Sequence, residues 1–560
     1  MDSKNGGHAA DDHVSIMQKT SQANGMASAI DQSRRTANYK PNVWNYDLLE
    51  GLTTEYPDQK YDITIGELIE EVKCLLSDTV DTLEMLEHIE RLEKLGLAHL
   101  FEHEIKKVLD TLASVQNLNA EKNLYTTALW FLILRKHGYH VSQDMFMGLL
   151  DISTGSDVEA VLKLFEASYF SFENENILDQ SKEVSRKFLE SMISSKHVDT
   201  SIAKNINHTL EDPYNVWFNV KRHIQFYEEN TNSNPHLVKL AKHNFNMLQA
   251  IYQKEVQELA RWWRMLDLET SLPFLRNRII ESYVCAVGIV FEPKYGSLRK
   301  WLAKTIILIL VLDDVYDVYG SLEELENFTS AVDRWDYEGT QTIPECMRIC
   351  LRIVYDTTKE IASEIENETG WTSVSSYLQQ AWINLCKSLL VEAKWFNKEY
   401  TPSLKEYTDN GWYSSSGPLL SIYIFFGLVD KTKQEEATDL LKSTEDHEKN
   451  VALVFRLCND LGKAERGDAS SSVQCIMQEK GISEQIARNQ IKSIIANAWK
   501  KINYQCVTQS PVLQPYLKHS TNIARVAHAV YHNGDGVTNA DGITKNQVMD
   551  LLSEPFSLNS

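Results

Sequence analysis

The chain has 560 residues with 56 basic and 78 acidic side chains, so its formal net charge is −22. That negative excess argues against nucleic acid or an anionic membrane surface as the main partner. Hydrophobic residues make up 43% of the chain, which is ample for buried cores. The 23 glycines and 12 prolines are roughly half their usual share. Since they leave little material for tight turns, the composition predicts an all-α fold.

The cysteines and the apolar runs exclude two further classes of protein. The eight cysteines are scattered and form no CxxC pair, which argues against a disulfide framework or a structural zinc site and favours a reducing compartment. The longest purely apolar runs, one of which is Ile306 to Leu312, have seven residues and are far too short for a membrane span. We therefore expect no stable membrane insertion.

Residues 1–33 are polar and show no apolar period, which predicts a disordered leader. A plastid transit peptide should be rich in arginine and poor in acids. This segment instead contains Asp2, Asp11, Asp12 and Asp31, and its first arginine is Arg34, just beyond it. The leader therefore predicts a cytoplasmic location.

After Trp44 the apolar residues recur at helical spacing, with charged residues on the opposite faces. The first stripe ends before Gly96, a stop signal, and consists of Met85, Ile89, Leu92 and Leu95. A longer stripe consists of Leu248, Tyr252, Val256, Leu259, Trp263 and Leu266. The polar segment 230–235 predicts a connector. We expect two helical domains, at residues 34–235 and 236–560.

Three aspartates end the apolar run as Asp313-Asp314-Val315-Tyr316-Asp317. On a helix, Asp313 and Asp317 lie one turn apart on one face, and Asp314 lies about 100° round. Crowded carboxylates repel each other unless a cation joins them. Oxygen ligands of this kind suit Mg²⁺ held together with a substrate phosphate. The ordinary alternative is a solvated acidic helix end, but the apolar run that leads into the motif favours a site.

A diphosphate site also needs cationic side chains, and Arg276-Asn277-Arg278 lies upstream of the acidic motif. Guanidinium groups suit phosphate oxygens because they donate in a planar fork. Arg456-Leu457-Cys458-Asn459-Asp460 follows further along the chain and supplies a third arginine beside two oxygen ligands.

These motifs, in this order, resemble the plant class I terpene synthases from Arg34 to the C-terminus. Arg34-Arg35, eight residues and Trp44 match the RRx8W element of that family. Residues 276–278 match its RxR element, residues 313–317 match its DDxxD motif, and residues 456–462 match the start of its second metal motif. The segments SRRTANYKPNVWNYDLL, ESYVCAVGIVFEP and KSLLVEAKWFN look most like those of (E,E)-α-farnesene synthases, in the branch that also holds ocimene, linalool and isoprene synthases.

The resemblance implies an N-terminal helical barrel and a C-terminal catalytic bundle around an apolar pocket. It also implies three Mg²⁺ ions, with Mn²⁺ as a possible substitute. The implied metal and diphosphate ligands are Asp313, Asp314, Asp317, Asn459, Arg276, Arg278 and Arg456. The residues implied for the pocket and its lid are Cys285, Ser415, Asp535, Arg34, Arg35 and Trp44.

Cys285 and the segment 414–418 carry more specific expectations. Many cyclising members have tryptophan where this chain has Cys285, and cysteine offers no π-face to a cyclised cation. An acyclic product would suit this difference, although Cys285 could simply pack as a small hydrophobe. Gly417-Pro418, preceded by three serines, should break a helix that lines the pocket.

The second metal motif departs from the family pattern [N/D]Dxx[S/T]xxxE. Lys463 stands where a hydroxyl is expected, and Gly467 stands where glutamate is expected. About one helical turn is missing after Gly462. Glu465 is six residues from Asn459, about 240° round a helix, and cannot replace the lost ligand.

The leading hypothesis is a monomeric, Mg²⁺-dependent lyase that converts farnesyl diphosphate to (E,E)-α-farnesene and diphosphate. The nearest alternative is a monoterpene synthase that makes ocimene or linalool from geranyl diphosphate. From other classes, the chain could be a catalytically impaired prenyl-diphosphate binder or a helical partner protein.

Overall fold

The structure of the chain is a computed structural model. It describes residues 44, 51, 58–114, 123–153, 155–195, 199–211, 213–214, 219–229, 234–272, 274–336, 342–463, 471–532, 534, 536 and 542–558. The predicted leader, residues 1–33, lies outside the described residues. So do Arg34, Arg35 and Asp535.

Helices make up both halves of the described chain. The N-terminal helices span Asp58–Asp78 (α1), Thr82–Lys94 (α2), Glu102–Ser114 (α3), Leu124–Lys136 (α4), Val158–Ser168 (α5), Asn176–Ser194 (α6), Thr200–Glu211 (α7) and Val220–Glu229 (α8). Short 3-10 turns lie at Ala98–Leu100 and Gln143–Phe146.

The C-terminal half begins with a long helix. Its helices span Pro235–Met265 (α9), Leu268–Ser271 (α10), Ile279–Ile289 (α11), Gly296–Asp314 (α12), Leu322–Arg334 (α13), Glu345–Thr369 (α14), Val374–Asn397 (α15), Leu404–Ser414 (α16), Gly417–Leu428 (α17), Ala437–Lys463 (α18), Ser472–Lys480 (α19), Glu484–Thr508 (α20), Gln514–Tyr531 (α21) and Gly542–Leu552 (α22). Further 3-10 turns lie at Pro293–Tyr295, Lys431–Glu436 and Pro511–Leu513. Every regular element in the described ranges is helical, which confirms the predicted all-α fold.

Both predicted apolar stripes lie on helices. The first stripe lies along α2, where Asp81 caps the N-terminus by accepting the Glu84 backbone N–H, and Gly96 follows the end with φ +71°. The second stripe lies along α9. Asn234 caps this helix and Pro235 takes its first position, where the missing N–H costs nothing. Local capping chemistry therefore sets both helix starts.

The hydrophobic core is divided between the two halves of the chain. The main C-terminal core runs from Leu248 to Leu552, while the largest N-terminal core runs from Ile65 to Phe245 and also takes in Phe556. Helix α9 contributes its first turns to the N-terminal core and its remaining turns to the C-terminal core. The predicted boundary at residue 235 falls at the start of this shared helix.

No helix in the described part of the chain combines the length and the apolar character that a membrane crossing requires.

Candidate active site

The apolar run 306–312 lies inside α12 and leads the acidic motif to a cavity in the C-terminal core. Helix α12 ends at Asp314, and Val315–Tyr319 continues as one π-helical turn. Such turns are rare and often occur at functional sites. Asp313 and Asp317 both line the cavity, although they belong to different helical elements.

Asp314 holds Arg276 in place instead of lining the cavity. Its side chain is fully buried, and its Oδ2 accepts the backbone N–H of Arg276 at 2.9 Å. The Arg276 Nε lies 3.0 Å from Asp314 Oδ1, and Arg276 Nη2 lies 3.6 Å from Asp313 Oδ2. Arg276 lines the cavity. The two neighbouring aspartates therefore differ: Asp313 faces the cavity and Asp314 orients the arginine.

Arg278 and Trp44 lie behind the cavity, around Glu281 on α11. Arg278 is buried, donates to the carbonyl of Asn277 at 2.8 Å, and is not among the cavity residues. Trp44 Nε1–H donates to Glu281 Oε1 at 3.2 Å. Burial raises the pKa of Glu281, while Arg278 and Trp44 oppose the shift. Trp44 is thus attached to the helix that also carries Cys285.

Arg456 and Asn459 on α18 bring the second half of the site to the same cavity. Arg456 Nη2 lies 3.2 Å from Glu392 Oε1 and 2.6 Å from Ser414 Oγ. Burial would lower the pKa of Arg456, but Glu392 and other nearby negative groups hold it above its usual value. Glu392 also lines the cavity, and the sequence reasoning missed it. The only signal was that Glu392 is the sole acid between residues 385 and 396 of α15.

Asp460, the neighbour of Asn459, has a structural role. It is buried, and it accepts hydrogen bonds from Tyr407 Oη at 2.9 Å and from the backbone N–H of Ser472 at 3.0 Å. Burial raises the pKa of Asp460. The bond to Ser472 ties the start of α19 to α18. Helix α18 ends at Lys463, and residues 464–470, which hold the rest of the departure from the family pattern, lie outside the described residues.

The predicted helix break lies between α16 and α17. Helix α16 ends at Ser414 and α17 starts at Gly417, with Ser416 in the left-handed conformation at φ +63°. Ser415 and Ser416 both line the cavity. A Cβ on Gly417 would lie 2.9 Å from Ala452 Cβ, so glycine allows the start of α17 to approach α18.

The cavity has a volume of about 120 Å³ and combines a charged end with apolar walls. The walls are formed by Ile289, Ile306, Ile309, Leu310, Leu389, Leu420, Phe455, Ile523, Val526, Ala527 and Val530. Cys285 also lines it, and burial, aided by Glu281, raises the pKa of the Cys285 thiol to about 12. The thiol therefore stays protonated at neutral pH.

The backbone at the end of α21 approaches the end of α18. A Cβ on Gly462 would lie 3.1 Å from the carbonyl oxygen of Gly534 and 3.2 Å from that of Tyr531. Tyr531 lines the cavity. The segment expected to form the lid therefore begins against the helix that carries Asn459, at the point where the second metal motif becomes irregular.

The donor groups around the cavity fit a hard divalent cation. Within the described ranges, no group of three or more His, Cys, Asp and Glu side chains is placed to hold a metal ion. Mg²⁺ does not need such a group, because it binds through one or two carboxylates, waters and substrate phosphates. Asp313, Asp317 and Asn459 offer oxygen atoms beside Arg276 and Arg456. This set fits Mg²⁺, or Mn²⁺ in its place, bound together with a diphosphate.

Family models match both halves of the chain in order. Residues 43–210 match the model for the terpene synthase N-terminal domain. Residues 264–501 match the model for the metal binding domain of the terpene synthase family.

Two farnesene synthases and a thujene synthase match nearly the whole chain. An alpha-farnesene synthase of Ricinus communis is 44% identical over 96% of this chain and 98% of its own length. An (E,E)-alpha-farnesene synthase of Malus domestica is also 44% identical, over 98% of both chains. A chloroplastic alpha-thujene synthase of Litsea cubeba is 39% identical over 93% of this chain and 92% of its own length.

Solved structures agree with these matches. A limonene synthase with 2-fluorolinalyl diphosphate has a TM-score of 0.89 and 34% identity, and the match covers 94% of this chain and 100% of that one. An isoprene synthase from Populus x canescens, in complex with three Mg²⁺ ions and dimethylallyl-S-thiolodiphosphate, has a TM-score of 0.83 and 36% identity over 92% and 99%. The two-domain helical fold, the two matched models and the full-length relatives agree, and the chain belongs to the terpene synthase family of lyases that act on prenyl diphosphates.

Proposed function

We propose that the chain is a sesquiterpene synthase that converts (2E,6E)-farnesyl diphosphate to acyclic (E,E)-α-farnesene and diphosphate. The observation that carries this proposal is the 44% identity to two α-farnesene synthases over almost the full chain, against 39% for an α-thujene synthase. Cys285 on the cavity wall supports an acyclic product, because no indole face is offered there to a cyclised cation.

The diphosphate would bind at the charged end of the cavity. Arg276 and Arg456 would contact its oxygens, since guanidinium groups make charge-assisted hydrogen bonds to phosphate. Asp313, Asp317 and Asn459 would hold Mg²⁺, which, when bound, offsets the negative charge that develops on the leaving diphosphate. Asp314 would act by orienting Arg276, with which it makes an ion pair and a hydrogen bond.

Ionisation of the C1–O bond leaves an allylic cation beside the apolar walls. These walls exclude water, so the cation is not captured as an alcohol. A proton then leaves a carbon next to the allylic system, and its C–H electron pair forms the new double bond. The released diphosphate, held by Arg276 and Arg456, would accept that proton.

A substrate comparison tests the proposal. Purified protein is assayed with Mg²⁺ and, separately, farnesyl, geranyl and dimethylallyl diphosphate, while product and diphosphate release are measured by gas chromatography and phosphate detection. We expect the highest kcat/KM with farnesyl diphosphate and α-farnesene as the main product. Another main product from the same substrate would refute the product assignment alone.

Two other functions remain candidates because specific observations favour them. The α-thujene synthase relative favours the alternative of a monoterpene synthase, which we expect to make ocimene or linalool from geranyl diphosphate. A higher kcat/KM with geranyl diphosphate would support this function.

The shortened second metal motif favours an impaired prenyl-diphosphate binder. Tight binding of farnesyl diphosphate with no diphosphate release would support that one.

The cytoplasmic location and the monomeric state belong to the same proposal. A fluorescent fusion of residues 1–60 should stay in the cytosol, and import into plastids would favour the ten-carbon substrate.

Light scattering on the purified chain should give the mass of one 64.2 kDa copy. A mass of two copies would refute the monomer.

A further inference from the structure

Glu392 on α15 connects three helices at the charged end of the active-site cavity. Its Oε1 accepts hydrogen bonds from Arg456 Nη2 at 3.2 Å, from Asn410 Nδ2 at 3.3 Å and from the hydroxyl of Ser414. Asn410 and Ser414 lie on α16, and Arg456 lies on α18. Glu392, Ser414 and Arg456 all line the cavity. One carboxylate oxygen therefore links the arginine of α18 to the helix that ends at the break.

Arg456 uses a single nitrogen for the hydrogen bonds that it makes within the described ranges. Nη2 has two N–H groups, and it donates to Glu392 Oε1 and, at 2.6 Å, to Ser414 Oγ. The buried Nε has no hydrogen-bond partner in that part of the chain. Nη2 belongs to both edges of the guanidinium group that offer two parallel N–H groups, and arginine binds phosphate bidentately through such an edge. A bidentate contact to diphosphate therefore requires Nη2 to leave Glu392.

The surroundings of Glu392 make this exchange inexpensive. When Nη2 turns to an anion, Glu392 keeps the donors of Ser414 and Asn410. The Asn410 amide is itself fixed by the Ser388 carbonyl, to which it donates at 3.1 Å. The Glu392 side chain is also 22% exposed. A carboxylate that keeps hydrogen bonds and some hydration avoids the full desolvation cost of a bare buried charge.

The empty cavity needs Glu392 for the opposite reason. The Arg456 side chain is only 14% exposed, and Glu392 is its one ion-pair partner in the described part of the chain. A buried cation without a partner is strongly destabilising. Glu392 and a bound diphosphate are both anions, and each would make a charge-assisted bond to the same guanidinium group. The two anions therefore compete for Arg456.

We propose that Glu392 is a positioning residue that holds Arg456 while the cavity is empty and competes with diphosphate for it. This inference rests on the proposed binding of diphosphate by Arg456. Glu392 keeps the guanidinium group charged, paired and at the cavity when no anion is bound. After the reaction, the return of Arg456 to Glu392 favours release of the product diphosphate. Glu392 therefore weakens the binding of diphosphate.

Glu392→Gln tests the competition, because the amide oxygen still accepts from Arg456 but carries no charge. Calorimetry measures the binding of inorganic pyrophosphate in the presence of Mg²⁺. We expect the Kd to fall roughly tenfold, since charge-assisted hydrogen bonds are about twice as strong as neutral ones. The KM for farnesyl diphosphate should fall with it, whereas a merely structural fault would raise both values.

Glu360→Gln is the matched control for the loss of one negative charge. Glu360 is 49% exposed, pairs with Lys304 at 2.8 Å and is not among the cavity residues. Salt screens such an exposed charge from the cavity, so this variant should keep the Kd for pyrophosphate within about twofold. A Kd that falls equally in both variants would mean that net charge, rather than the bond to Arg456, sets the affinity, and would overturn the proposal.

A double-mutant comparison shows whether Glu392 acts through Arg456. In an Arg456→Met background, Glu392→Gln should no longer change the Kd for pyrophosphate. A decrease that persists there would show that Glu392 repels diphosphate directly. An unchanged or higher Kd in Glu392→Gln alone would show that Glu392 does not compete for the arginine. Either result would overturn the proposal.

These binding measurements do not depend on the product of the reaction. A main product other than α-farnesene would refute the product assignment and leave the role of Glu392 in place. A parent chain that bound no pyrophosphate with Mg²⁺ would overturn the role of Glu392 together with the proposed diphosphate site.

Discussion

At the scale of single residues, Asp313 can be removed without opening the core. Its side chain is 27% exposed and contacts Arg276 at 3.6 Å. Asp313→Ala should lower turnover by at least about 100-fold, because a crowded Mg²⁺ site would lose one of its two carboxylates. Turnover at saturating Mg²⁺ gives the effect, and circular dichroism should show an unchanged helix content.

Asp314→Asn is the matched comparison for Asp313→Ala. Asp314 is fully buried beside Arg276, so losing its charge should destabilise the fold by about 3 kcal/mol. The two variants should therefore differ. Asp313→Ala should lower turnover and keep the parent Tm, whereas Asp314→Asn should lower the Tm. Unchanged turnover in Asp313→Ala would show that the Asp313 carboxylate holds no metal that the reaction needs.

Glu448 on α18 should give the fold a pH dependence. Burial raises the pKa of Glu448 to about 7, with Glu445 adding to the shift and Tyr516 and Thr444 opposing it. The Tyr516 hydroxyl donates to Glu448 Oε1 at 2.7 Å. The ordinary glutamate pKa is 4.5, so the folded state binds the proton more tightly than the unfolded chain does. This contribution to stability is present below pH 4.5 and is lost as pH rises through about 7.

Glu448→Gln tests that sign, because the amide still accepts from Tyr516 but does not titrate. The variant should gain stability relative to the parent chain as pH rises from about 5 to about 8. Thermal unfolding of both proteins across that range gives the difference. Two Tm curves that stay parallel would show that Glu448 has an ordinary pKa.

The positions of single residues were predictable only in part. The resemblance to the terpene synthases predicted one site for Asp313, Asp317, Arg276 and Asn459, and the structure brings all four to one cavity. Helical spacing put Asp314 about 100° round from Asp313, but it could not show that Asp314 bonds to Arg276, since that contact depends on how α12 meets the segment before α11. Their roles as ligands stay predictions.

At the scale of helices, apolar periodicity succeeded where a helix is regular. It predicted α2 and the long helix α9, because each has one face on a core. It missed the π-helical turn Val315–Tyr319, because tertiary packing sets the extra residue in that turn. The break before Gly417 was predictable, since Gly-Pro interrupts a helix through local backbone chemistry.

The irregular second metal motif leads to a prediction about helix α18. We expect the chain as it stands to be a weak catalyst, because Lys463 and Gly467 replace two of three oxygen ligands and Mg²⁺ demands near-octahedral geometry. The repair inserts four residues, beginning Thr-Ser, after Gly462 and changes Lys463 to Glu. This returns a hydroxyl to the fifth position and a carboxylate to the ninth, and turnover should rise by orders of magnitude.

The repaired and unrepaired chains are compared by turnover and by Mg²⁺ dependence with farnesyl diphosphate. A control with the same insertion but Lys463→Gln should recover less activity, since an amide is a weaker ligand than a carboxylate. Equal rates in the repaired and unrepaired chains would mean that Asn459 and nearby groups form the second cluster in another way.

At the scale of the whole molecule, the C-terminal segment joins the two cores. Asn246 on α9 donates to the Phe556 carbonyl and accepts the Phe556 N–H, both at 2.8 Å. Phe556 packs edge-to-face on Phe245 in the N-terminal core, with ring centroids 5.3 Å apart. Lys221 on α8 forms ion pairs with Asp550 and Glu554, each at 2.8 Å. The chain therefore returns to its N-terminal half after the catalytic bundle is complete.

These contacts predict unequal effects for two substitutions. Asn246 is buried, so Asn246→Ala leaves two backbone groups of Phe556 without partners and should cost about 2 kcal/mol or more. The Lys221 side chain is only 9% exposed, but Asp550 and Glu554 are 43% and 59% exposed and stay hydrated without it, so Lys221→Met should cost only about 0–1 kcal/mol. Thermal unfolding of both variants at low and high salt measures these losses of stability. Salt should reduce the effect of Lys221→Met, because it screens exposed ion pairs, and leave that of Asn246→Ala unchanged. If Lys221→Met proved the more destabilising at both salt concentrations, charge rather than the buried hydrogen bonds would hold the C-terminal segment.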